Sequence, residues 1–151
     1  SMGPGVLVDT SFLVAQMDAR DVHHRAAKVL HELFRTREAA YVYLDCVVNE
    51  AVTVLARRAV ERKVDPRPII RRLRQEIPAE MLDWTGPELP QLWERALDTL
   101  ETYQGRLSFH DCLLVLVLQD GSIEWVASFD QSFDRVSGLK RVGTAAAFTT
   151  T

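Results

Sequence analysis

Four stretches of the chain each set a carboxylate at the edge of a run of Val, Leu or Ile. They are VLVDTSFLVA with Asp9, VVNEAVTVL with Glu50, SFHDCLLVLVL with Asp111, and WVASFDQSFD with Asp130 and Asp134. An unpaired carboxylate taken out of water is costly, so such groups find a cation or a proton. These acids have no obvious basic partners nearby in sequence. Brought together by a fold, they would suit a hard divalent ion. Mg²⁺ and Mn²⁺ favour oxygen ligands, and metal-assisted phosphodiester hydrolysis is one chemistry that such sites perform.

Each acid also has a structural reading. Asp9 follows Val6-Leu7-Val8 directly and can cap a following helix. It also stands beyond the carboxyl end of a strand, where open parallel sheets bind ligands. Asp130 has the same relation to a strand ending near Ser128, with an Asx-turn as its structural alternative. One helical turn would put Asp134 on the face of Asp130, or it is a solvated surface acid. Asp111 lies three residues after Ser108, a capping-box-like spacing, and a helix N-terminus tolerates its charge. Glu50 falls on the flank of the stripe Val47, Val48, Ala51, Val54 and Leu55, and its plain alternative is a boundary acid paired with Arg57 or Arg58. His110 would project about 100° away from Asp111 on a helix. No GxSxG, GxGxxG or GxxxxGK[ST] occurs, so a nucleophile elbow, a dinucleotide site and a P-loop are unsupported.

The elements that would position these acids alternate between strand and helix. Gly5 to Val8 has the pattern of a short buried strand, with Thr10 or Ser11 able to cap the segment after it. Residues 22 to 36 carry apolar positions at helical spacing. Tyr41 to Leu44 is strand-like, and Asp45 would cap a helix over 46 to 62. Asp65-Pro66-Arg67-Pro68 breaks the chain before a helix over about 67 to 76, which Pro78 ends. Met81 to Trp84 is a short strand, Glu88 to Tyr103 a helix, and Ser108 opens a helix apolar all round from Cys112 to Leu118, hence central. Glu124 to Ser128 and Leu139 to Val142 are strands, and the tail AAAFTTT carries no pattern. This order predicts a three-layer α/β/α fold around a mainly parallel sheet.

With 151 residues, 47% hydrophobic and 26% charged, the chain fits one globular domain over 1–151, with 143–151 a tail. Ser1 has the form of a cleaved-tag remnant, with Met2 as the native start. Cys46 and Cys112 sit in apolar contexts and suit a reducing cytoplasm. No apolar run is long enough to span a bilayer. The net charge of −3 argues at first against nucleic acid, but the acids are concentrated in a few places. Eight basic residues crowd between Arg57 and Arg74, either as solvated helix faces or as a phosphate-contacting patch.

On those motifs the chain resembles the PIN-domain ribonucleases, and within them the VapC toxins of bacterial toxin–antitoxin pairs, from Val6 to about Val142. VLVDTSFLVA resembles the first strand with its first acid, VVNEAVTVL the helix with the second, SFHDCLLVLVLQDG the third motif, and ASFDQSFDRVSGL the fourth. Asp134 matches an extra acid of some members, and Ser128 stands where many have Thr. The resemblance implies a Mg²⁺- or Mn²⁺-dependent endoribonuclease acting on RNA, a homodimer, and a small antitoxin that blocks the site. On this reading Asp9, Asp111 and Asp130 hold the metal, and Glu50 completes the cluster and acts on the attacking water. Asp134 is an outer or second-metal ligand, and Ser11 and Ser128 hydrogen-bond water or phosphate. The rivals are a catalytically silent interaction module and a haloacid-dehalogenase-type phosphatase. The phosphatase would need a second Asp where Ser11 stands.

Overall fold

The structure is a computed structural model, and it describes residues 3–149. The expected tag remnant Ser1 and the last two residues of the tail lie outside them.

At the centre is β1 (Gly5–Val8), whose Val6, Leu7 and Val8 are wholly out of water. β2 (Ala40–Leu44) pairs with it on one side and β4 (Trp125–Ala127) on the other. β3 (Leu82–Asp83) and β5 (Lys140–Val142) close the edges, giving the all-parallel order β3-β2-β1-β4-β5 among the described residues. Parallel strands need crossovers, and the crossover helices cover both faces of the sheet.

The pleat divides the core in two. Val6, Val8, Trp125 and Ala127 face a cluster built from α1 (Thr10–Met17), α2 (His24–Thr36), α3 (Asp45–Glu61) and α4 (Arg67–Glu76). Leu7, Leu44 and Val126 face a second cluster built mainly from α5 (Leu89–Thr102) and α6 (Phe109–Asp120). α6 buries Cys112 to Leu116 and Leu118, as its all-round apolar sequence requires. Each large side chain so buried contributes ~1.5–3 kcal/mol. The predicted three-layer α/β fold is what the chain adopts.

Several local expectations need revision. Asp45 does not cap α3 but is its first residue. Its carboxylate accepts the Thr85 N–H at 2.9 Å, the Thr85 hydroxyl at 2.6 Å and the Gly86 N–H at 3.4 Å, which ties α3 to the segment after β3. α2 starts at His24, later than the periodicity suggests, because residues 18–23 form a loop held by ion pairs to α3. The tail is not featureless. Phe148 is buried, with its ring edge-on to Phe34 at 4.9 Å and inclined at 62° to Trp125 at 4.9 Å. The turn between α5 and α6 enters the left-handed region at Gln104 and at Gly105, where the missing Cβ removes the steric penalty. Among the described residues Cys46 and Cys112 are free thiols, and no helix is long and apolar enough to cross a membrane.

Candidate active site

The chain leaves β1 for β2 on one side and later returns to β4 on the other. The carboxyl ends of β1 and β4 therefore adjoin where the strand order reverses, the position at which open α/β sheets bind ligands. Asp9 follows β1, and its N–H donates to Ala127 O at 3.0 Å. Ser128 and Asp130 follow β4. The N-terminal turn of α6 brings Ser108, His110 and Asp111 to the same place, and α3 passes with Glu50. Asp9, Glu50, Ser108, His110, Asp111 and Asp130 line one cleft of about 710 Å³.

Two hydroxyls organise its floor. Ser128, fully buried, donates its hydroxyl to Asp9 Oδ2 at 2.6 Å and accepts the Asp130 N–H at 3.0 Å. Ser11 Oγ accepts the Phe129 N–H at 3.0 Å and lies 3.2 Å from both Asp9 Oδ2 and Ser128 Oγ. The strand-end acids are thus stitched together by side chains two residues beyond Asp9 and two before Asp130. Ser108 caps α6 by accepting the Asp111 N–H at 3.0 Å, and Asp130 forms an Asx-turn with the Ser132 N–H at 2.9 Å. The cap and the turn expected of these acids are formed, and they leave Asp111 and Asp130 on the cleft.

The cleft concentrates negative charge. Burial pushes the Asp9 carboxyl above its ordinary range, and the charge of Asp111 adds to the rise against the Ser128 hydrogen bond. Burial also raises Asp111, with Asp130 as the like charge beside it. Glu50 is half exposed, accepts the Thr10 hydroxyl at 2.9 Å, and lies 3.6 Å from His110 Nε2. That nitrogen is buried and has no hydrogen-bond partner among the described residues.

The donor set fits a hard dication. The charge of Asp111 raises the proton affinity of Asp9, and that of Asp130 raises the proton affinity of Asp111, which a cation would relieve. Among the described residues, however, no three His, Cys, Asp or Glu side chains are gathered into a ready-made cage. Mg²⁺ suits such an arrangement, since it takes one or two carboxylates directly and keeps several waters.

Asp134 stands apart. It lies in a 3-10 turn over Gln131–Arg135, where about three residues per turn rotate position i+4 off the face of position i. Arg141 holds it through Nε at 2.8 Å and Nη2 at 3.1 Å, and it is not among the residues described as lining the cleft. The basic run 57–74 is largely committed elsewhere. Arg57 pairs with Glu61, Arg58 with Asp18 and Asp21, Arg62 with Asp18, Arg67 with Asp65 and Arg72 with Glu76. The cations with no described carboxylate partner near the cleft are Arg106, which lines it, and Arg135, which shares an adjoining hollow with Arg106 and Tyr103. The sequence patterns pass over these two and over His110. Residues of a helix's first turn surround its axis, so an end-on approach to the cleft admits both His110 and Asp111 despite their angular separation.

A parallel α/β sheet with acids gathered at its switch point is the architecture of a PIN domain. The PIN domain family model matches residues 6–139, and the chain belongs to that family. In fold it is similar to VapC20 of Mycobacterium tuberculosis, a sarcin–ricin loop cleaving toxin. The two match at a TM-score of 0.66 and 24% sequence identity, over 85% of this chain and 92% of VapC20. No curated protein matches the chain significantly.

Proposed function

We propose that this protein is a Mg²⁺- or Mn²⁺-dependent endoribonuclease. We place it as the cytoplasmic toxin of a type II toxin–antitoxin pair, a single PIN domain that works as a homodimer and is silenced by a small antitoxin protein. The observation that carries the reading is the convergence of Asp9, Glu50, Asp111 and Asp130 on one cleft at the β1–β4 switch point. The fold likeness to VapC20 supports the toxin assignment.

Asp9, Asp111 and Asp130 would hold the ion, directly or through its bound waters. When bound, it supplies Lewis-acid polarisation of the phosphate and neutralises charge that builds there. Glu50, steadied by Thr10, orients the attacking water and takes its proton as the new P–O bond forms, while the scissile P–O bond breaks and the departing ribose oxygen takes a proton from solvent. Ser128 and Ser11 orient Asp9, because their hydroxyls are already engaged with it and with the backbone after β4. Asp134 would act at most through Arg141, whose Nη1 also donates to Ser128 O at 3.2 Å. Arg106 and Arg135 bind the RNA backbone on one side of the cleft.

The test is cleavage of total cellular RNA by wild type and Asp9→Asn, purified in parallel, in EDTA, Mg²⁺ or Mn²⁺. Discrete fragments from wild type alone, and only with metal, are expected. Equal cutting by both proteins would sink the assignment. Cutting by neither would favour the silent interaction module.

A further inference from the structure

The part of the cleft wall formed by His23 and Phe129 holds a feature that acid chemistry does not use. The His23 imidazole lies flat on the Phe129 ring, with centroids 4.4 Å apart and planes 7° from parallel. Phe129 in turn packs near-parallel to Phe12, at 6.1 Å and 23°, and Phe12 is wholly buried. His23 nevertheless remains exposed, so with one face on Phe129 its other face meets solvent. Val22 beside it is 89% exposed, and all three of His23, Val22 and Phe129 line the cleft.

Local structure gives no reason for an imidazole here. His23 occupies the cap position of α2, where Ser, Thr, Asp or Asn would stabilise the helix, and its side chain makes no cap hydrogen bond. The backbone beneath it is firmly placed. Its N–H donates to Asp21 Oδ1 at 2.8 Å, and Asp21 Oδ2 accepts Arg58 Nη1 at 2.8 Å. The Phe129 N–H donates to Ser11, which bonds Asp9. An exposed ring stacked on Phe129 is therefore linked through Ser11 to the acid that anchors the cleft.

We infer that the His23–Phe129 pair is a stacking platform for an unpaired RNA base flanking the cleaved linkage. Stacking on aromatic faces is the common way in which proteins hold splayed-out bases, and it tolerates any base because each has a π-face. The inference rests on the ribonuclease reading. The platform fixes the strand's register, while the phosphates run over the acids toward Arg106.

The probe is a fluorescein-labelled oligouridylate of about 12 nucleotides carrying one 2-aminopurine at successive positions. It is mixed with protein in Ca²⁺ at about 50 mM salt, where backbone attraction is strong. Anisotropy reads binding, and 2-aminopurine fluorescence reads stacking. Wild type is expected to quench the probe at one position. His23→Ala should lose that quench and bind about tenfold more weakly, with Tm within about 2 °C of wild type. His23→Phe should restore both signals. RNA bound and cut, with the quench unchanged by His23→Ala, overturns the platform alone. A wild type that neither binds nor cuts RNA overturns the platform and the ribonuclease reading together.

Discussion

Replacing Asp9 by Asn should stabilise the metal-free protein while abolishing its activity. Asp9 is 5% exposed, and burial, reinforced by Asp111, raises its carboxyl above the ordinary 3.8. The unfolded chain thus releases this proton at lower pH than the folded one. The stability tied to protonated Asp9 is complete below pH 3.8 and is lost as pH rises through the folded value. Where Asp9 is ionised the fold carries a strained anion, and each unit of elevation costs about 1.4 kcal/mol. Asn has the same shape, keeps an acceptor for Ser128 and Ser11, and has no charge. A gain on the order of 1 kcal/mol is expected, or about 2–4 °C in Tm for a chain of this length. Thermal unfolding by circular dichroism in EDTA at about pH 7 and pH 4, and in Mg²⁺ at about pH 7, would measure it. The advantage of Asn should shrink at the lower pH. It should reverse in Mg²⁺, where ion at about a hundred times its Kd adds about 2.7 kcal/mol to wild type. An Asn variant less stable than wild type in EDTA, by the same margin at both pH values, would refute the strained-anion account and make Asp9 a structural hydrogen-bond hub.

Ser128→Ala removes the 2.6 Å bond to Asp9 and leaves the Asp130 N–H unmet. Urea titration should show a loss of about 1–3 kcal/mol, and the acid limb of the cleavage rate should move to higher pH as Asp9 keeps its proton longer. Arg58→Ala strips Asp21 of its cation and leaves Asp18 with Arg62 alone, which should cost ~2–4 kcal/mol. Although burial pushes Asp18 up, hydrogen bonds from Arg62 and Arg58 hold it well below the usual carboxylate range. That stabilisation is present above pH 3.8 and fades as pH falls through the folded value, so the gap between wild type and Arg58→Ala should close in acid. A gap of constant size would reject the ion-pair explanation. The double variant Arg106→Ala/Arg135→Ala should bind single-stranded RNA more weakly whatever its sequence, with a salt slope shallower by about 1.4; an unchanged slope would exclude both as phosphate contacts.

The acids at strand ends were legible because the rule that places them is local. A buried apolar triplet followed by Asp puts that Asp at the mouth of a parallel sheet, as at Asp9, and Asp130 stands three residues beyond the triplet Trp125-Val126-Ala127 at the same end. Asp111 was legible through its cap. Glu50 was not readable from its helical wheel, since its place depends on where α3 passes the ends of β1 and α6. It needed the family resemblance. Asp134 shows the limit of assuming an α-helical period, because a 3-10 turn rotates the same spacing away. The basic run 57–74 could be read either as solvated helix faces or as a phosphate patch. Arg57, Arg67 and Arg72 pair with acids close in sequence, but the partners of Arg58 and Arg62, Asp18 and Asp21, lie some forty residues earlier, and only the tertiary fold reveals that pairing. Phe148 failed for the same reason, since its neighbours Phe34 and Trp125 are distant in sequence.

The outer strands of the sheet carry one further consequence. β3 has two residues and β5 three, and each presents a charged residue, exposed Asp83 on one and exposed Lys140 on the other. Lys140 is held in place by Glu124 and by the face of Trp125. An unpaired β-edge is a template on which another chain can add itself, and such templating needs length, flatness and the absence of charge. Neither margin of this sheet offers them. The molecule can therefore keep a parallel core of Val, Leu and Trp while resisting edge-to-edge aggregation at high concentration.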